Sequence, residues 1–131
     1  MKTQLLLTAS AIVMGVAGVA GLFAPAEIAR MSGLAPVSGA SLLIQLLAAL
    51  LFAFAMVNWM ARGSLMGGIY NRPIAVGNVT HFVIGALTLT KALAAGERRM
   101  AVVIAAAVYV VFALAFGLTL LSSPVKRQAD N

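Results

Sequence analysis

The chain has 131 residues, 63% hydrophobic and only 9% charged, where a soluble domain carries about a quarter charged residues. A domain of this length has one small core and a large surface, so a mean hydropathy of +1.05 excludes a water-soluble globule and places most of that surface in lipid. The net charge of +6 sits at helix ends and in connections rather than in a basic stripe with interleaved aromatics, which argues against nucleic acid as a partner, and the lack of cysteine removes disulfides, thiolate metal sites and thiol catalysis.

From the amino end, residues 5–24 form an uncharged apolar run of the length that crosses a hydrocarbon core, about 20 residues at about 1.5 Å each. Lys2, this run and Ala24-Pro25-Ala26 together imitate a secretory signal with a small-residue cleavage site. The run is longer than the apolar core of such signals, about 7–15 residues, so the segment is expected to remain as the first span. The connection over residues 25–39 repeats Ile28, Met31 and Leu34 at helical spacing, with Glu27 three residues before Arg30. It reads either as a short helix lying at the membrane interface or as an irregular loop ended by Ser32-Gly33 and Pro36.

Residues 42–60 form the second span, closed by Arg62. A glycine-rich connection with Gly63, Gly67, Gly68 and Asn71-Arg72-Pro73 follows, and Pro73 is placed to open the third span, residues 74–90, in its first turn. Lys91 closes that span, Gly96 reads as a helix stop, and Glu97 stands at the start of the fourth span, residues 100–121. So short a link makes the last two spans antiparallel neighbours. The tail, residues 125–131, is polar and is expected outside the bilayer. The expected fold is all-α: one integral membrane domain, a four-helix bundle of antiparallel up-down spans with short loops.

Positive residues are retained on the cytoplasmic side. With both termini inside, Lys2, Arg62, Arg72, Lys126 and Arg127 face the cytoplasm against Arg30, Lys91, Arg98 and Arg99 outside. The expected location is a bacterial inner membrane with cytoplasmic termini, and Trp59, Arg62, Tyr70 and Arg72 read as interfacial anchors. Helices associate in lipid through small residues. Ala11 and Gly15, Ala17 and Gly21, Ala49 and Ala53, Gly77 and Gly85, and Ala113 and Gly117 each mark a helix face at four- or eight-residue spacing, so Gly15, Gly21, Gly77, Gly85 and Gly117 are the expected packing glycines.

Polar groups within spans are the place to look for function. The spans hold Thr8, Ser10, Gln45, Asn58, Asn78, Thr80, His81, Thr88, Thr90, Tyr109 and Thr119, and no acid. Antiparallel alignment brings Asn58, at the end of the second span, to the same leaflet as Asn78 and His81 in the third, with Thr8 and Thr119 at that end too. Asn58, Asn78, His81, Thr8 and Thr119 are therefore expected to line a polar pocket near one membrane surface. No phosphate loop, paired carboxylates, serine triad or metal-ligand cluster is present, and no cofactor is implied.

Gly21-Leu22-Phe23-Ala24-Pro25, then Gly33-Leu34, a long second span and Asn58-Trp59-Met60-Ala61-Arg62, resemble the DoxX-like group of small bacterial four-helix membrane proteins. The resemblance is one of length, span layout and the Phe-x-Pro connection over the whole chain, and it specifies no catalytic motif. The cysteine of some redox-linked relatives is missing here, which counts against a thiol or quinone-reducing role. The expectation is a non-enzymatic accessory or assembly subunit that meets membrane lipids and other membrane subunits or copies of itself. The alternative is a binder or carrier of a lipid, quinone or other apolar small molecule, and a third reading is an oligomeric channel or transporter.

Overall fold

A computed structural model describes residues 2–34, 38–63 and 72–122. It contains five helices in the order α1 (Lys2–Phe23), α2 (Pro25–Met31), α3 (Ser38–Ala61), α4 (Arg72–Ala94) and α5 (Met100–Ser122). All but α2 are long and apolar enough to cross a membrane. The described residues are thus all-α, with four antiparallel spans and one short helix inserted after the first. The helix bounds lie within about four residues of the apolar runs, α1 starting three residues earlier and ending one short, α3 and α4 running longer at both ends, and α5 gaining one residue.

Those stops are local. Pro25 opens α2 with Ala24 as its N-cap residue, and the chain then turns back at Gly33, φ +66°. Here the amide of Leu34 donates to the carbonyl of Ala29 and that of Gly33 to Arg30, a paired closure whose left-handed position favours glycine. The same closure ends α4: Glu97 donates to Ala92 and Gly96, φ +102°, to Leu93. Of the two readings of residues 25–39, the helix is the one formed. The helix packs against α1 and α3. The tail 125–131 lies outside the described residues.

The closest backbone approaches pair α1 with α3 and α4 with α5, while α3 meets α4, and α1 meets α5, through side chains. On α1 the buried residues Leu7, Ala11, Met14, Gly18 and Gly21 recur at alternating spacings of four and three, and on α4 Ala75, Asn78, Phe82 and Ala86 recur at three, four and four. Leu7, Met14, Ala55, Ala61, Phe82, Phe112 and Phe116 form one buried cluster that draws on all four long helices. Phe82 is its hub, with ring centroids 4.9 Å from Phe112, 5.6 Å from Phe116 and 5.3 Å from Tyr109. Outward-facing surfaces remain apolar. On α3, Leu42, Leu43, Leu46, Leu47 and Leu50 are all exposed, as lipid-facing residues must be.

Candidate functional site

The buried polar residues converge where α1, α3 and α4 meet. Asn58 Nδ2 donates to Asn78 Oδ1 at 2.8 Å, and Asn78 Nδ2 returns a bond to Asn58 Oδ1 at 2.7 Å, so the two carboxamides close a reciprocal ring. Each amide nitrogen has a second proton. That of Asn58 goes to Ser10 Oγ at 3.0 Å and that of Asn78 to the Ile74 carbonyl at 2.9 Å. The Ser10 hydroxyl in turn donates to the Leu7 carbonyl at 3.0 Å, and Met14 Sδ lies 3.9 Å from Asn58 Nδ2. Ser10, Asn58 and Asn78 are each 0% exposed. Every amide proton of the pair is used, and the network has no donor left for an incoming molecule.

About one helical turn deeper lies a second group. Tyr109 on α5 and His81 on α4 share a hydrogen bond between the phenol oxygen and Nε2, 3.1 Å apart. Gly85 permits it: a Cβ there would overlap the Tyr109 ring, so only glycine lets the phenol lie flat on α4. Phe54 of α3 stacks on the imidazole at 5.2 Å and 24°, and Phe82 meets it edge-on at 5.1 Å. His81 Nδ1 has no hydrogen-bond partner among the described residues. Every fully buried polar side-chain atom among them has a partner, so Nδ1 is not fully enclosed.

Of the five residues expected to line one pocket, the structure brings two together and gives the others separate partners. Asn58 and Asn78 bond each other, His81 turns to Tyr109, and Thr8 and Thr119 donate to the carbonyls of Gln4 and Ala115 on their own helices. Instead of an open polar pocket, Asn58 and Asn78 form a sealed contact. Trp59 is 44% exposed and carries the Arg62 guanidinium 3.4 Å above its ring, while Arg72 begins α4 on the surface. Tyr70 lies outside the described residues.

The packing glycines also divide. A Cβ on Gly21 would stand 2.6 Å from Ala48 Cβ, and Gly85 is filled by Tyr109, so both are close-contact positions. Gly15 and Gly77 leave ordinary contact distances of 3.6 and 3.7 Å to Ala55 and Phe54. Gly117 is a correction to the expected set: it is half-buried, yet a Cβ there would meet no atom within 4 Å among the described residues, and Ala49 and Ala53 are exposed. Gly18, which the four-residue spacing passed over, is the tightest contact with backbone. Its Cβ would lie 2.9 Å from both the Ala48 carbonyl oxygen and the Phe52 amide nitrogen. Ser10 and Tyr109 also escaped selection as site partners, although their depths match those of Asn58 and His81.

Apolar grooves lined by described residues open on the outside. One, of about 380 Å³, runs between α3 and α4 along Leu50, Ala53, Phe54, Val57, Pro73, Ile74, Gly77 and Asn78. Another, of about 270 Å³, lies between α1 and α3 below Trp59. At the opposite end of the bundle Glu97 accepts from the backbone amides of Arg98 and Arg99, at 3.0 and 2.9 Å, and pairs with the Arg99 side chain at 2.9 Å. Arg99 also reaches the Ser32 carbonyl at 2.8 Å, tying the end of α2 to the start of α5. Compared with family models, with curated proteins and with solved structures, the chain matches none.

Proposed function

We propose that this protein is a non-enzymatic accessory or assembly subunit, which acts by laying an outer helix face against another membrane protein or a second copy of itself. The observation that carries this reading is the distribution of small and polar residues. The polar groups Ser10, Asn58 and Asn78 are consumed in holding α1, α3 and α4 together, while small residues at four-residue spacing on α3, Ala49 and Ala53, point away from the bundle. Outward small residues let another helix approach closely, the main source of helix association where lipid supplies little hydrophobic drive. The test is extraction of the full chain in mild detergent, with size and composition measured on the native particle. A complex larger than one chain is expected, reduced by Ala49→Leu and Ala53→Leu. A free monomer with no co-purifying protein would sink the reading.

A second reading, a binder of an apolar small molecule, is favoured by one observation: His81 presents an Nδ1 with no partner among the described residues beside Phe54, which also walls the α3–α4 groove. Mass spectrometry of the extracted protein would detect a bound lipid or quinone, and content unchanged in His81→Ala would count against it. For location we propose a bacterial inner membrane with both termini cytoplasmic, supported by five basic residues on that side against four.

A further inference from the structure

We infer that the groove between α1 and α3 is a site for one anionic phospholipid, its phosphate on Arg62 and an acyl chain lying along the groove beneath Trp59. This rests on the four membrane spans alone, so it stands or falls separately from the proposed docking of α3.

The groove is apolar along its whole length. Ala11, Ile12 and Gly15 of α1 and Phe52, Ala55 and Met56 of α3 line it, and Trp59 closes its outer end. It exists because Ala11, Gly15 and Ala55 are small: the two backbones lie close, yet no bulky side chain fills the space between Phe52 and Trp59. From Trp59 to Phe52 is seven residues, about 10 Å of helix rise, which sends the groove from the membrane surface toward the bilayer interior.

Arg62 follows Trp59 by three residues, one turn beyond the groove lining, and rests on its ring. The guanidinium lies 3.4 Å over the centre of the Trp59 ring, and Nη1 donates to the Trp59 carbonyl at 3.3 Å. The same indole is thus the wall of the groove and the platform for the charge. A guanidinium carries five donors in a planar fork that suits a phosphate, and only one of them is engaged here. Charge complementarity favours an anionic ligand. The only acids among the described residues, Glu27 and Glu97, lie at the other end of the bundle and pair there with Arg30 and Arg99. Arg62 has no carboxylate partner among the described residues, so its guanidinium is open to an anion from outside them. An anionic lipid supplies that anion and the chain that fills the groove, whereas a zwitterionic lipid cancels its own phosphate.

Trp59 is the only tryptophan in the chain, which makes it a reporter placed at the site itself. The full-length protein is reconstituted in phosphatidylcholine vesicles containing a minor fraction of acyl-brominated phosphatidylglycerol or, in parallel, acyl-brominated phosphatidylcholine, and quenching of Trp59 is measured. Phosphatidylglycerol is expected to quench at about one fifth of the mole fraction that phosphatidylcholine requires, the ratio that one interfacial arginine supports. Arg62→Gln should bring the two lipids level, and Arg30→Gln, at the far end, should leave the ratio intact. Gly15→Leu, which fills the groove, should weaken quenching by phosphatidylglycerol even with Arg62 present. Equal quenching in the unmodified protein, or a preference that survives Arg62→Gln with helix content preserved, would overturn the site. So would no quenching by either lipid, the result expected if a second protein chain covers the groove.

Discussion

Asn58 and Asn78 are the residues on which the bundle's internal order turns. A carboxamide in hydrocarbon that loses its partner keeps the full cost of desolvation, so Asn58→Leu and Asn78→Leu should each destabilise by about 1–3 kcal/mol. The double variant removes both amides at once and leaves neither stranded. Its cost should fall short of the sum of the singles, with a coupling of about 1–2 kcal/mol, the upper range for hydrogen bonds between membrane helices. Unfolding by SDS from mild-detergent micelles measures all four states, and strictly additive costs would show that the pair does not act as a unit. Thr8 and Thr88 offer the contrast, since each bonds only the carbonyl four residues back on its own helix. That Asn58 and Asn78 share one end of the membrane was legible from antiparallel spans alone. That they face each other and spend their amide protons inside the bundle was not, because depth along a helix is read from residue number, whereas rotation about its axis depends on which neighbour it packs against.

At the scale of elements, the four spans could be read from run length and punctuation, since crossing lipid leaves few alternatives to an apolar helix of fixed length. Which glycines lie in the seams was less accessible. Pairing residues four apart joined Gly21 to Ala17, which is exposed, and passed over Gly18, three residues from Gly21 and four from Met14. Alternating spacings of four and three follow a seam farther than a constant four does, because the side chains drift around the helix. The contrast predicts that Gly18→Ala, which forces a methyl onto the backbone of α3, costs about 1–3 kcal/mol as overpacking. Gly15→Ala, which meets Ala55 at 3.6 Å, should stay within about 0.5 kcal/mol. The same SDS titration separates them, and equal losses would mean that α1 and α3 do not approach as described.

The link between α4 and α5 adds a pH dependence. The Arg99 backbone amide, more than the charge of its side chain, holds the Glu97 carboxyl below its ordinary value of 4.5. A depressed value in the folded state means that Glu97 contributes stability above the unfolded carboxylate range and loses it as acid protonates the group. Thermal melts should therefore show the link weakening as pH falls below about 4.5, a slope that Glu97→Gln flattens. An unchanged slope would place the acid sensitivity elsewhere.

For the whole molecule, the antiparallel arrangement puts the start of α1, the end of α3 and the start of α4 at one end, and Gly33 with the α4–α5 link at the other. The chain has no cysteine, so single cysteines at Gly63 and Ala95, both exposed, report the two ends without background. If the termini are cytoplasmic, Ala95→Cys reacts with a membrane-impermeant maleimide in intact cells, and Gly63→Cys reacts only after permeabilisation. The opposite pattern would invert the orientation while keeping four crossings, an outcome open to so narrow a charge majority, because Arg30, Lys91, Arg98 and Arg99 pull the other way. Labelling of both positions from one side would be incompatible with an odd number of crossings between them. It would overturn the membrane placement of α4, the least apolar of the four spans and the one that carries Asn78 and His81.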